Sequence, residues 1–290
     1  MTLIRLLETD PAALIIAAGL LGLMVGSFLN VVIYRLPIMM ERGWRRESIA
    51  YLGLAPEPAP EPQPFNLIQP QSRCPRCTSS IRPWQNIPIV SYLILGGQCA
   101  NCKMPISIRY PAVEALTAIL SALVVWRFGF TLQAGMALIL TWALISLSLI
   151  DIDRQLLPDS ITLPVLWLGL ALSIGHVFTD SHSAIIGAIS GYLSFWIVYQ
   201  IFKVLTGKEG MGFGDFKLLA MLGAWMGWQY LAVTILFSSL FGALIGTMMV
   251  VFGKHDRSRP IPFGPHLSAA GWIVLLWGNY FLQGYFGFVG

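Results

Sequence analysis

Long apolar runs, each bounded by a few polar or charged residues, recur along most of the chain. They cover Ala12–Ile33, Ala112–Trp126, Leu132–Ile150, Ile161–Phe178, Ala184–Phe202, Asp215–Trp228, Leu231–Phe252 and Leu267–Phe286. A helix of about 20 apolar residues crosses the hydrocarbon core of a bilayer, and only helices and closed barrels satisfy their backbone there. Eight such runs predict an all-α polytopic membrane protein. The run beginning at Asp215 is the short one, so it is expected to tilt or to start below the bilayer surface with Asp215 at some depth.

Residues 35–110 break the pattern, with no long apolar run. Within them, Ala55–Pro64 has a proline at every second position, which favours extended polyproline geometry and reads as a semi-rigid spacer or exposed loop. The chain therefore divides into a first transmembrane helix (1–34), a polar loop domain (35–110) and a seven-helix membrane domain (111–290).

Composition agrees: 56% of residues are hydrophobic, 11% are charged, and the mean hydropathy is +0.70. Soluble domains carry about 25% charged residues. The net charge of +4 is read through topology and not as a nucleic-acid footprint. With the N-terminus outside, segments 35–110, 151–160, 203–217 and 253–260 lie in the cytoplasm. They hold every one of the 18 lysines and arginines except Arg5 and Arg127. The positive-inside rule then puts both termini outside and the polar loop inside. The first run is long enough to span, and no small-residue cleavage motif follows it, so it reads as a helix and not as a cleaved signal peptide.

The end of that run contains Gly26, Ser27 and Asn30. Gly26 and Ser27 let another helix approach, Asn30 can hydrogen-bond across the contact, and Tyr34 and Arg35 read as interfacial anchors. The 4 cysteines all lie in the polar loop, as Cys74-Pro75-Arg76-Cys77 and Cys99-Ala100-Asn101-Cys102. Two residues between cysteines let both sulfurs of a knuckle meet one tetrahedral ion, and two knuckles complete the shell. Cytoplasmic thiols stay reduced, which excludes disulfides. A structural zinc ion on Cys74, Cys77, Cys99 and Cys102 is expected, closed to chemistry because no coordination position is free.

Four aspartates stand at cytoplasmic ends of runs. Asp151 and Asp153 point to nearly opposite sides of a helix and cannot share a site. Asp159, after Pro158, reads as a helix N-cap, Asp153 beside Arg154 as a solvated charge, and Glu114 as a first-turn acid complementing its helix dipole. Asp151 ends one run and Asp215 opens another, within Gly210-Met211-Gly212-Phe213-Gly214-Asp215. Those three glycines allow φ > 0 and close approach to a neighbour or a bound chain. An acid at a membrane boundary is costly unless paired or functional. Two carboxylates held close cannot both ionise, so the pair keeps one proton and can act as acid and base on a peptide bond. The same pair also suits a proton-coupled transporter, and spacing alone does not separate the two.

The chain resembles the bifunctional type IV prepilin peptidases, the leader peptidase/N-methyltransferases among GxGD-type membrane aspartic proteases. The residues that carry the resemblance are Gly26–Pro37, Phe65–Leu67, both cysteine pairs, Ile106–Glu114, Asp151–Asp159, the GxGD at Gly212–Asp215 with Phe216 and Lys217, and Pro262–Pro265. It implies that Asp151 and Asp215 are the catalytic acids. It also implies cleavage of the leaders of prepilins and type II secretion pseudopilins at the cytoplasmic face of the bacterial inner membrane. The new N-terminal residue, usually phenylalanine, would then be methylated from S-adenosylmethionine. The substrates would reach the enzyme within the lipid bilayer. No Rossmann-type glycine fingerprint follows a strand pattern, so the cofactor site must be of another kind. Gly97, before the second cysteine pair, is the candidate for close backbone approach to that cofactor, and a turn glycine of the knuckle reads equally well. Arg35 and Lys217 can attract anionic groups and also read as ordinary positive-inside residues. Near the last loop, His255 reads as a solvated histidine and His266 as a helix-start histidine.

Overall fold

The computed structural model describes residues 3–54, 64–252 and 261–289. Residues 55–63 of the proline-rich repeat and residues 253–260, with His255, lie outside the described residues. Among those described there is no strand, only two isolated antiparallel bridges in the cysteine loop, Arg73 with Ser80 and Gln98 with Pro105. All eight expected runs are helical. Among the described residues, five helices are long and apolar enough to cross a membrane, and Asp159–Ile174 is a shorter apolar helix. The contacts divide the chain into two compact units, Met1–Phe130 and Thr131–Gly290.

The first unit holds α1 (Leu3–Thr9), α2 (Pro11–Tyr51), α3 (Val90–Ile94) and α4 (Arg109–Phe128). Asp10 caps α2, its Oδ1 accepting the Ala12 and Ala13 N–H groups, with Pro11 in the first turn. The helix then runs 41 residues, through Pro37 to Tyr51. It does not end near Ile33 as the apolar pattern predicts. Proline removes one intrahelical bond but does not forbid continuation where the following residues form helix well. Met39 to Ser48 does so, with Glu41 and Arg45 at the i, i+4 spacing that supports a helix. Helices α2 and α4 pack together through the small residues expected of such a contact. A Cβ on Gly22 would lie 2.7 Å from the Ala118 Cα, and one on Gly26 would lie 2.7 Å from the Glu114 Cα. Asn30 Nδ2 donates to the Tyr110 carbonyl at 3.2 Å, the cross-helix bond read from the sequence.

The second unit holds α5 (Leu132–Arg154), α6 (Asp159–Ile174), α7 (Ser181–Thr206), α8 (Phe213–Met226), α9 (Leu231–Val251) and α10 (Gly264–Val289). Helix α6 stops at Ile174, four residues before the apolar run does. The short helix α8 is the centre of this unit, with α6, α7 and α10 packed around it. Apart from the half-buried Lys217, every residue from Asp215 to Met226 is buried. A helix apolar on all sides belongs inside a fold, and so its 14 residues need not match a bilayer. Trp225, 1% exposed, donates Nε1–H to the Val165 carbonyl at 2.8 Å and lies over Gly169, where a Cβ would meet its ring at 2.4 Å.

Helices α7 and α8 touch backbone to backbone at Gly187 and Gly223. A Cβ on Gly223 would lie 2.2 Å from the Gly187 carbonyl oxygen, and one on Gly187 would lie 2.3 Å from that of Gly223. Gly223→Ala is therefore expected to force the helices apart and to cost about 1–3 kcal/mol, the usual range for overpacking. Gly135→Ala, on the exposed side of α5 with nothing within 4 Å of the added Cβ, should leave stability unchanged or raise it slightly. Thermal unfolding of the two variants in detergent distinguishes these outcomes.

Candidate active site and metal centre

Asp151 stands in the last turn of α5, which ends at Gln155 in the left-handed conformation (φ 53°). Asp215 stands in the first turn of α8. They are 6% and 9% exposed. The two carboxylates are near enough to act on one another electrostatically. Asp151 Oδ2 accepts the buried N–H of Gly264 at 3.0 Å. Gly264 is the first residue of α10, so each acid meets the positive end of a helix dipole: Asp215 that of its own helix, Asp151 that of α10.

Glycines make this convergence possible by close approach. A Cβ on Gly264 would lie 2.6 Å from Asp151 Oδ2, and one on Gly214 would lie 2.8 Å from the Leu157 Cβ. Leu157, on the segment joining α5 to α6, also reaches Gly264, whose Cβ would lie 3.2 Å from its Cδ2. The left-handed freedom expected of Gly210, Gly212 and Gly214 is not used, for none of the three has positive φ. Gly210 instead lies against the Phe202 ring, where a Cβ would sit 2.8 Å away, and Gly212 is extended (φ −81°, ψ 147°) with open space around it. Tyr199, Phe213 and Phe216 form an aromatic cluster beside Asp215, with ring centroids 5.3–5.7 Å apart.

The neighbouring charges differ in part from the sequence reading. Asp159 is not the N-cap of α6. Pro158 holds that position, because it brings extended backbone geometry to the turn. Asp159 lies in the first turn and pairs with Lys217 Nζ at 2.8 and 2.6 Å, tying the head of α6 to the head of α8. Lys217 is thus committed to a partner and is more than a boundary charge. Asp153 is exposed, as read. His266 is at the start of α10 as expected, buried, with its ring nitrogen Nδ1 3.1 Å from the Pro262 carbonyl oxygen.

The four cysteine sulfurs lie within 4.8 Å of one another, in a group able to hold a metal ion. Cys74 and Cys102 are 3.7 Å apart, and Cys77 and Cys99 are 4.0 Å apart. Metal–sulfur bonds of about 2.3 Å in a tetrahedron give sulfur–sulfur edges of about 3.8 Å, so the donor set fits such an ion. The two knuckles share one backbone design. Cys74 N–H donates to Ser79 O and Thr78 N–H to Cys74 O, just as Cys99 N–H donates to Met104 O and Lys103 N–H to Cys99 O. Thr78 and Lys103 occupy the same left-handed position (φ 56° and 57°). The Ser79 hydroxyl, 3.0 Å from the Cys77 sulfur, and the Ser79 backbone bring the Cys77 thiol down to about 6, which favours the thiolate a metal needs. Gly97 is also left-handed (φ 68°). Its carbonyl accepts the Ile106 N–H at 2.7 Å, and a Cβ there would lie 2.9 Å from the Tyr92 hydroxyl oxygen, contacts that call for glycine on conformational grounds.

Two residues of this unit have roles that sequence reasoning missed. Arg35 is not an interfacial anchor: it is 8% exposed, and its guanidinium donates to the Asn66 carbonyl at 2.9 Å and the Pro70 carbonyl at 2.6 Å. Backbone carbonyls replace water around the charge, and the loop is strapped to α2. Glu114 does not complement a helix dipole. It is buried, with Oε2 accepting the Ile89 N–H at 2.8 Å. The available signal was its setting, a lone acid inside the apolar run Pro111–Leu116.

Two families match the chain, one described as the bacterial peptidase A24 N-terminal domain over residues 20–128, the other as the type IV leader peptidase family over residues 138–247. Among curated relatives, the prepilin leader peptidase/N-methyltransferase of Pseudomonas aeruginosa is 56% identical over 290 residues, 100% of this chain and 99% of the relative. The proteins of that name from Stutzerimonas stutzeri and Neisseria gonorrhoeae are 54% and 52% identical, covering 99% and 89% of this chain and 99% and 88% of theirs. No solved structure matches. With buried acids brought together in one unit, a four-cysteine group in the other and relatives alike from end to end, the chain belongs to the type IV leader peptidase family.

Proposed function

We propose that the protein removes the leader from prepilins and pseudopilins at the Asp151–Asp215 pair and then methylates the new amino terminus. The relatives' name supports both activities. The observation that carries the peptidase reading is the convergence of two buried acids, from the end of α5 and the start of α8, on the junction where Leu157 meets both Gly214 and Gly264. One proton serves the pair. The ionised carboxylate takes a proton from water as the water oxygen attacks the scissile carbonyl. The protonated one hydrogen-bonds the carbonyl oxygen and then gives its proton to the departing nitrogen as the C–N bond breaks. The Gly264 N–H holds the Asp151 carboxylate in place through this exchange. The transporter reading of paired acids gains nothing from the relatives, whose names are those of peptidases.

The charge distribution supports an orientation with both termini outside and the cysteine loop and aspartates on the cytoplasmic side of the inner membrane. A membrane-anchored pilin helix would then present its leader junction at that face. The cysteine loop within residues 35–110 is assigned to methyl transfer and the aspartates to cleavage. In methyl transfer the amine nitrogen forms its bond to carbon as the methyl–sulfur bond of S-adenosylmethionine breaks, and the nitrogen loses a proton. Zinc is the ion assigned to Cys74, Cys77, Cys99 and Cys102, where it would supply cross-linking of the two knuckles and no open coordination position.

Asp151→Asn and Asp215→Asn are each expected to lower leader cleavage by roughly 10²- to 10⁴-fold, the range for a lost general acid or base, while membrane insertion is retained. Mass spectrometry of a prepilin incubated with each variant reads the outcome, and cleavage kept by either one removes that aspartate from the chemistry. Cys74→Ser or Cys99→Ser should release the metal and leave the loop open to protease. Elemental analysis of the unaltered protein should find one zinc per chain. Protein purified without chelator that carries none would end the zinc assignment.

A further inference from the structure

Glu114 is a buried acid that the two-aspartate chemistry does not use. Its Oε2 accepts the Ile89 N–H at 2.8 Å, and the Ser27 hydroxyl donates to the same carboxylate. Gly26, next to Ser27, brings the backbone of α2 against that of Glu114 in α4. A single carboxylate thereby joins α2, α4 and the segment between the two cysteine knuckles.

The residue it holds has an unusual backbone. Ile89 has φ 56° and ψ −47°, and the Val90 N–H turns back to the Pro88 carbonyl at 2.5 Å. A β-branched residue avoids positive φ, and such outliers persist only where the surroundings hold them. The Glu114 carboxylate is the side-chain contact on the Ile89 N–H. From this turn the chain passes through α3, then Gly96 and Gly97 (φ 59° and 68°), to Cys99. The Gly97 carbonyl is bonded onward to Ile106, so the turn, the glycines and the second knuckle form one connected path.

We propose that Glu114 is a positioning residue for methyl transfer, fixing the Ile89 turn from which the second cysteine knuckle is placed against the α2–α4 pair. The proposal rests on the assignment of methyl transfer to the cysteine loop. The carboxylate acts as an acceptor for Ile89 and Ser27 and touches neither the amine nor the methyl donor.

The test compares full-length unaltered enzyme, Glu114→Ala and Glu114→Gln, incubated with a prepilin at varied S-adenosylmethionine. Leader loss and methyl gain are read by mass spectrometry, and metal content is measured alongside. Glutamine keeps a carbonyl acceptor for the Ile89 N–H. Glu114→Ala is expected to lower kcat/KM for methyl transfer by about tenfold or more, as the loss of a hydrogen bond to a charged group implies. Leader cleavage and bound metal should be unchanged, and Glu114→Gln should recover most of the methyl transfer. The proposal is overturned if Glu114→Ala methylates normally, if it loses both activities together, or if Glu114→Gln is as impaired as Glu114→Ala. A Cys99→Ser enzyme that still methylates fully, or an unaltered enzyme that never does, would instead refute the loop assignment and remove the proposal with it.

Discussion

The second unit is organised by the cost of keeping two acids out of water beside one another. An isolated buried carboxylate is strongly disfavoured, and a second one nearby adds repulsion. The fold meets this cost with backbone groups. Asp215 occupies the first turn of α8, and Asp151 accepts the N–H that opens α10, so two helix N-termini face the pair. That arrangement requires the end of α5 and the beginnings of α8 and α10 to meet closely. Side chains larger than hydrogen at 214 and 264 would prevent it, the first by striking Leu157 and the second by striking the Asp151 carboxylate. The Lys217–Asp159 ion pair sits half in solvent, where such pairs contribute little energy, so its value is registration of α6 on α8.

The first unit solves a different problem, holding a polar loop with only short helical pieces between residues 64 and 108 onto two apolar helices. Two polar tethers do this: Arg35 binds the carbonyls of residues 66 and 70, and Glu114 binds Ile89, while Asn30 ties α2 to α4 at Tyr110. Each uses a side chain from a helix to satisfy or supply backbone groups nearby. The four sulfurs meet where the two knuckles converge, each knuckle turning through a left-handed residue, Thr78 or Lys103, in a conformation that a non-glycine residue seldom adopts.

Read by itself, the sequence determined the helical class, the apolar runs, the cysteine group and its fit to a tetrahedral ion, and the small-residue contact at Gly26 with the bond from Asn30. These rest on local signals: apolar run length, fixed cysteine spacing, and residues too small to keep helices apart. It also singled out Asp151 and Asp215, since acids beside apolar runs are few. Tertiary structure alone decided that α2 continues to Tyr51, that Arg35 and Glu114 are buried, and that Asp159 pairs with Lys217 and does not cap its helix. The same holds for Gly210 and Gly214, which serve close packing with no need of left-handed backbone. In each case the deciding partner is a carbonyl, an N–H or a side chain distant in sequence, such as Asn66 for Arg35 or Ile89 for Glu114. Whether a charge faces water or a backbone group depends on what the fold brings beside it, and composition and periodicity carry no record of that.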